Sequence, residues 1–286
     1  MATTSSNVTR AIAQTAEYIQ EKWNREILMP FDKALQAAPL VTDQSGLVSD
    51  GGDVLRNPFA GTINARAKAA STNITYDSPE GTAVSYNIDK HYYAGMLIED
   101  IAKIQASYDL KGALMKRLSE ALARQIDTDV LALYASAGTS VSGGASVDDA
   151  DVIAVVAALD NNNVPVDGNR HGVIGQYTKG DLLNVNKYVA YDQTGKTGKA
   201  VDGSSGLVGA VYGMDINMSQ NVPVSTTGRN LFFHKDAIGL ARQQTPKFEM
   251  EYSVDAIGWK VVCHTVYGVG ALRTTAIVEV TRTTAA

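Results

Sequence analysis

Residues 43 to 81, "DQSGLVSDGGDVLRNPFAGTINARAKAASTNITYDSPEG", limit what this chain can become more than any other stretch. The segment is too long to be a simple connection inside a compact domain. It is also too poor in apolar side chains to hold a core of its own. Its large apolar residues are scattered: Leu47, Val54, Leu55, Phe59, Ile63 and Ile74. On its far side, "AVSYNID" alternates Val84, Tyr86 and Ile88 with Ser85, Asn87 and Asp89, the period of a half-buried strand. The pattern predicts a long two-stranded loop projecting from a sheet. A lone ribbon is marginal in water, so this one calls for a partner surface.

The rest of the chain can supply a core. It has 286 residues, of which 45% are hydrophobic, enough for one large core or two smaller ones. Its net charge of −5 argues against a general nucleic-acid coat and leaves room for a local basic face. Cys263 is the sole cysteine, so no intrachain disulfide can form; inside "WKVVCHTVYG" it reads as a small buried hydrophobe. "MATTSSNVTR" lacks a basic region followed by an apolar one, and no apolar run is long enough to span a bilayer. The expectation is a soluble chain, with no membrane partner, made in a reducing compartment.

Several segments read as helices. In residues 6 to 28, Ile12, Ala16, Ile19, Trp23 and Ile27 share one face, until Pro30 breaks the pattern. "FDKALQAAPLV" predicts a short second helix ending before Pro39. Residues 107 to 136 give the strongest signal, with Leu110, Leu114, Leu118, Leu122, Ile126 and Val130 every four residues and Glu120 four before Arg124. Lys111, Lys116, Arg117 and Arg124 read most simply as its solvated face, with a phosphate-facing surface as the alternative. "AGTSVSGGAS", 137 to 146, predicts a flexible break. Ser146 is then expected to cap a helix whose first turn holds Asp148, Asp149 and Asp151, placed to complement the helix dipole.

Next, "NNNVPVDGNRHGVIGQYTKGDLLN" (161 to 184) reads as a helix end, a turn, a short apolar run and a new helix. "DQTGKTGKAVDGSSGLVGAVYGM" predicts mobile, glycine-rich coil. Strands are expected from Met214 onward: "MDINMSQNV", "NLFFHK", the alternation Phe248, Met250, Tyr252, Val254, and then "WKVVCHTVYG" and "TTAIVEVTR". The class is α+β with long excursions, and no fixed-period repeat is present.

The search for chemistry finds nothing that holds together. Ala190 to Thr197, "AYDQTGKT", fits a relaxed phosphate-loop spacing, but a helix-like segment precedes it and coil follows, the reverse of what phosphate binding needs. His91, His171, His234 and His264 show no metal-ligand spacing and read as structural. The aspartates at 148 to 151 lack the ligand spacing of a calcium loop. Ser204 and Ser205 miss the nucleophile-elbow pattern. No catalytic, cofactor-binding or metal-binding residues are assigned, no cofactor is expected, and the chain is not read as an enzyme.

Taken in order, the segments resemble the major capsid proteins of tailed bacteriophages with the HK97-type fold. "FDKALQAAPLV" is similar to their N-terminal arm, and residues 48 to 84 to their extended loop. "MLIEDIAKIQASYDLKGALMKRLSEALARQIDTDVLALYAS" is similar to the approach to, and body of, the long spine helix. "NNNVPVDGNRHGVIGQYTKGDLL" resembles the axial-domain segment, which "GLVGAVYGMDINMSQNVP" and "FFHKDAIGLARQQ" continue; "GWKVVCHTVYGVGALRTTAIVEV" resembles the closing strands. The resemblance implies an HK97-like capsid fold divided into an arm (1–47), an extended loop (48–84), a peripheral domain with the spine helix and sheet (85–138 and 240–286) and a central axial domain (139–239). It implies a structural subunit, made in the host bacterial cytoplasm, that assembles as hexamers and pentamers into an icosahedral virion capsid around packaged double-stranded DNA, contacted non-specifically. Portal and scaffolding proteins, and a decoration protein, are the further partners implied. The chain starts at the arm without a long helical pre-domain, which points to a separate scaffolding protein. No matching set of Lys, Asn and catalytic Glu can be placed for covalent cross-linking. The competing readings are an encapsulin-like nanocompartment shell of the same fold, a hydrolase or nucleotide-binding enzyme, and a tail or fibre component.

Overall fold

The computed structural model describes residues 36–49, 51–60, 63, 65–76, 81–100, 110–189 and 207–283. The expected helix at 6–28, the Ala190 to Thr197 stretch, Ser204 and Ser205 lie outside these residues. The strands are β1 (Thr42–Asp43), β2 (Val54–Ala60), β3 (Gly81–Asn87), β4 (Lys90–Glu99), β5 (Thr139–Ser142), β6 (Arg170–Ile174), β7 (Leu207–Val211), β8 (Met214–Met218), β9 (Thr227–His234), β10 (Ile238–Ser253), β11 (Gly258–Ala271) and β12 (Ile277–Thr283). The α-helices are α1 (Leu110–Leu131), α2 (Asp149–Asn161), α3 (Gln176–Asn184) and α4 (Asn186–Val189).

These strands form a four-stranded sheet, β1-β10-β11-β4, a six-stranded sheet, β5-β12-β9-β6-β8-β7, and the ribbon β2-β3. Helix α1 joins the two sheets, and its apolar spacing explains how. A repeat of four overshoots the 3.6-residue turn, so the stripe rotates by roughly 40° at each step. Its first half therefore faces one body and its second half another. Leu118 and Leu122 pack with Ile98, Val261 and Cys263 over the four-stranded sheet, flanked by Leu114, Met115 and Phe248. Ile126, Val130 and Leu131 enter the large core that fills the six-stranded sheet and α2. Asp129 adds a polar tie, accepting from the Tyr267 hydroxyl at 2.7 Å and lying 3.4 Å from Lys90. Burial first, and that carboxylate second, push the Tyr267 hydroxyl well above its ordinary pKa.

Several sequence expectations are corrected. Within 31–41, the described part is a 3-10 turn, Ala38–Leu40, with Pro39 inside it, not before it; proline is tolerated in the first turn, where its missing N–H has no partner to lose. The predicted break at 137–146 contains β5, which pairs in parallel with β12. Gly138 and Gly143 are there for close packing: a Cβ on Gly138 would strike the backbone of Thr274, and one on Gly143 the side chain of Val147. Helix α2 is capped by Asp148, not Ser146: the Asp148 carboxylate accepts from the N–H groups of Ala150 and Asp151, and Asp151 accepts from the N–H of Asp148. The glycine-rich stretch read as coil contains β7, which pairs with β8 through an irregularity at Leu207/Gly209.

Strand β4 was not anticipated. Its inward set, Tyr92, Ala94, Met96 and Ile98, is hidden by apolar residues on the other face as well. Of the alternation at 248–254, Phe248 packs toward α1, whereas Met250 and Tyr252 are 46% and 41% exposed. Finally, β12 pairs with β5 and β9, so residues 277–283 share a sheet with elements of 139–239.

Candidate assembly surfaces

The ribbon is rigid at its root and open at its far end. Its strands are in register from Val54↔Asn87 to Ala60↔Gly81. At the root, the Tyr86 hydroxyl donates to Gln44 Oε1 at 2.8 Å and Gln44 Nε2 donates to Asn57 Oδ1 at 3.0 Å. Gln243 Nε2 donates to the carbonyl of Gly52 at 3.2 Å, and the Arg273 guanidinium lies 5.3 Å from the Phe59 ring centre. Burial, helped by nearby Asp43, pushes the Tyr86 hydroxyl up to about 12. The crossing of β3 over β11 is so close that a Cβ on Gly268 would meet the Asn87 backbone, and one on Gly270 the Tyr86 side chain. Beyond this root, the described residues at 63 and 65–76 form no helix or strand. Ile63, Ile74 and Tyr76 are 77%, 59% and 86% exposed there. Arg66 and Lys68 stand in the same stretch.

A second open surface is the face of the four-stranded sheet turned away from α1. Successive residues on a strand point to opposite faces. Ala94, Met96 and Ile98 pack toward α1, which turns Tyr93 and Leu97 outward; Val261 and Cys263 likewise turn Val262 and His264 outward. Across β10, Lys247, Glu249 and Glu251 stand opposite His264, Val262 and Lys260. Tyr93 is 75% exposed. The His91 and His264 rings meet edge to face at 5.5 Å. Glu249 accepts from Lys247 at 3.0 Å, which holds its carboxyl below the usual range. The face is thus aromatic and aliphatic in the middle, and along β10 it carries the charged row Lys247, Glu249 and Glu251.

The turns of the six-stranded sheet are fastened by buried polar groups. Arg170 is 1% exposed and holds the turn at 161–169: Nε donates to the Pro165 carbonyl at 3.0 Å, and Nη2 to Asp160 at 2.7 Å and to the Val164 carbonyl. Asp167 accepts from Asn169, and His234 Nε2 lies 3.1 Å from it. His234 Nδ1 accepts the N–H of Asp236, so Nε2 carries the proton and donates to Asp167. Hydrogen bonds from Asn169, then from His234, hold the Asp167 carboxyl at about 2.

Asp149 receives the hydroxyls of Tyr188 (2.5 Å) and Tyr212 (2.6 Å) and the ammonium of Lys187 (2.9 Å). Burial would raise its carboxyl, but those donors together hold it below its ordinary value. Asp127, fully buried in α1, accepts from the N–H groups of Ala37 (2.7 Å) and Ala38 (3.0 Å) and from Asn221 Nδ2 (2.8 Å). It ties the entry of the chain, α1 and the 219–221 loop together. Beside it runs a cleft of about 790 Å³ lined by Thr128, Gly175 to Tyr177 and Ser219 to Ser225.

Among the described residues no three His, Cys, Asp or Glu side chains are grouped to hold a metal ion. Asp148, Asp149 and Asp151 are occupied as caps and tyrosine acceptors. The histidines are less scattered than their spacing suggests: His91 meets His264, while His171 and His234 sit on the neighbouring strands β6 and β9. Cys263 is fully buried, and burial pushes its thiol up. Lys116 is exposed on α1, as expected of a solvated face, and Glu120 lies 3.8 Å from it. The polar fasteners Asp127 and Arg170 were missed. The one available signal was a carboxylate set among Ile126, Val130 and Leu131.

A long helix laid across a sheet, a second sheet with its own helices, and a projecting ribbon with open apolar surface define a shell-building subunit of the HK97-type α+β capsid fold. Solved structures share it across nearly the whole chain. One from Mycobacterium phage Che8 is 24% identical, covers 92% of this chain and 97% of its own, and gives a TM-score of 0.78. The capsid of cyanophage P-SCSP1u is 20% identical with 94% of each chain covered and a TM-score of 0.75. The mature capsid of bacteriophage PhiM1 is 14% identical, covers 94% of this chain and 93% of its own, and gives 0.74. No curated protein sequence matches. Residues 81–280, well over half of the chain, match the family profile described as phage capsid protein. The chain belongs to that family: it is a phage capsid protein, a structural component of the virion, and it has the HK97-type fold. No helix among the described residues is long and apolar enough to cross a membrane.

Proposed function

We propose that this chain assembles with itself, as hexamers and pentamers, into an icosahedral shell enclosing phage double-stranded DNA. The observation that carries the reading is the match between two open surfaces of one molecule. The far end of the ribbon offers Ile63, Ile74 and Tyr76 together with the cations Arg66 and Lys68; the outer sheet face offers Tyr93, Leu97 and Val262 beside Glu249 and Glu251. Each is too apolar to be left open on a monomer without use. Laying the loop of one subunit on the sheet of the next satisfies both. In this reading 1–47 is an arm, 48–84 the extended loop, 85–138 with 240–286 the peripheral unit, and 139–239 the axial unit, with the last strand returning to the axial sheet. Synthesis in the host cytoplasm, a separate scaffold, a portal and a decoration protein belong to the same proposal.

The test is particle formation by the full chain produced with its neighbouring phage genes. Ile74→Asp and Tyr76→Asp, which place carboxylates opposite Glu249 and Glu251 on β10, should abolish shells in electron micrographs while leaving subunits folded. Shells at wild-type yield in both variants would refute the reading. Nuclease-protected DNA inside the wild-type shells is the expected content; enzyme cargo without DNA would favour a nanocompartment instead.

A further inference from the structure

We infer that the open edge of β4 pairs with the same edge of a second copy of the chain, as an antiparallel strand pair centred on Gly95. Strand β4 ends the four-stranded sheet, and among the described residues its backbone bonds only to β11. A sheet edge exposes unpaired N–H and C=O groups, which charges, prolines or short length normally blunt. The open side of β10 follows that rule. There β1 covers only Gly239 and Leu240, and Pro246, Lys247, Glu249 and Glu251 stand along the rest. Strand β5, at an edge of the other sheet, has only four residues. In β4, by contrast, the run from Tyr92 to Ile98 holds neither a charge nor a proline. Such an edge calls for a partner strand.

The backbone decides which groups are available. The N–H of Asp100 donates to the Ile257 carbonyl at 3.1 Å, on the β11 side. Backbone groups alternate in direction along a strand, so those of the odd-numbered residues from His91 to Glu99 point away from β11. The sequence decides the occupant, because it is complementary to itself when reversed. Two antiparallel copies related by a twofold axis pair residues symmetrically about that axis. With the axis at Gly95, Lys90 stands opposite Asp100 of the second copy, His91 opposite Glu99, Tyr92 opposite Ile98 and Tyr93 opposite Leu97. Each pair joins residues of one face, as cross-strand neighbours must. Tyr93 and Leu97, 75% and 45% exposed, meet side by side, and the outer face they share stays open to a ribbon. Moving the axis to Ala94 would set Asp89 against Glu99, a like-charge pair, and moving it to Met96 would part both charged pairs. Gly95 on the axis also lets the two backbones approach closely. The inference goes beyond the shell reading and does not rest on it.

The experiment uses the unassembled full chain. Sedimentation velocity over a range of micromolar concentrations should show a monomer–dimer equilibrium. Tyr93→Pro removes an N–H that points outward, so it should abolish the dimer while the circular dichroism spectrum stays that of the wild type. His91→Glu sets carboxylate against carboxylate twice across the axis and should weaken dimerisation about tenfold; adding Glu99→Lys to it should restore the dimer. This charge swap spares the backbone and decides the matter where proline disturbs the fold. Chains carrying Tyr93→Cys, mixed with chains carrying Leu97→Cys, should link on oxidation. Neither should link alone, because like positions lie about 14 Å apart along the strands; the native Cys263 is buried. A wild type that stays monomeric, dimers that survive both Tyr93→Pro and His91→Glu, a failed rescue by Glu99→Lys, or links between like positions would overturn the inference. Protection of the β4 amides that appears only on adding another phage protein would give the edge to that protein and overturn it as well. Shells built by a monomeric wild-type subunit would remove this inference and leave the shell reading standing.

Discussion

Replacing Leu118 with alanine tests how α1 is seated. Leu118 is buried against Ile98, Leu122, Val261 and Cys263, a cluster separate from the main core. The substitution removes three carbons, a transfer loss of roughly 2.4 kcal/mol at about 0.8 kcal/mol each. The cavity then decides the remainder. Val261 and Cys263 belong to β11, which is hydrogen-bonded on one side to β10 and on the other to β4, so that wall cannot collapse inward. A residual void of roughly 40 Å³ adds about 1 kcal/mol. The expected cost is therefore about 3–4 kcal/mol. Lys116 on the same helix is the comparison: its side chain is 71% exposed and its partner Glu120 lies 3.8 Å away. Lys116→Gln should cost under about 0.5 kcal/mol, as exposed pairs do. The assay is urea denaturation of unassembled subunits, read as a shift in midpoint at constant slope. A loss below about 1 kcal/mol for Leu118→Ala, or a larger loss for Lys116→Gln, would mean that the wrong face of α1 has been assigned to the sheet.

Arg170→Met should cost about 2–4 kcal/mol, because it leaves the carbonyls of Val164 and Pro165 without their donor; denaturation checks this, and local exchange should rise first in 161–169. Gly270→Val should prevent β3 from crossing β11, seen as lost protection of Tyr86 and Ile88 amides with the six-stranded sheet spared. His171 gives a pH prediction. Burial, opposed by Asp215 and assisted by Lys235 and His234, holds its imidazole below the ordinary value, and its buried Nδ1 has no partner among the described residues. The unfolded chain takes up that proton near pH 6.5 and the folded chain only lower, so stability should fall as pH drops below about 6.5 and level off once folded His171 titrates. His171→Gln should flatten that part of the stability–pH curve; an unchanged slope would remove His171 from the account.

How much of this was legible in the sequence follows from which signals are local. The spine helix, the ribbon strand through Tyr86 and the closing strands announced themselves by period, since each buries one stripe or one face. Strand β4 did not, because Tyr93 and Leu97 make its outer face as apolar as its inner one. The pairing of β5 with β12 spans most of the chain, and no local pattern encodes it; the glycines at 138 and 143 looked like flexibility and are close packing. Asp127 and Arg170 follow the same logic. A buried polar group is explained by its partners, and theirs are distant in sequence or are backbone groups that any residue could supply: Asp127 holds Ala37, Ala38 and Asn221, and Arg170 holds two carbonyls and Asp160.

The measurement closest to the central claim is a near-atomic electron cryomicroscopy reconstruction of the assembled particle. The account predicts that Ile74 and Tyr76 lose their exposure against the outer sheet face of a neighbouring subunit, over Tyr93 and Leu97, with Lys68 facing Glu249 and Glu251. A shell in which the tip of the 54–87 ribbon stays in solvent, or in which that sheet face is bare, would contradict it.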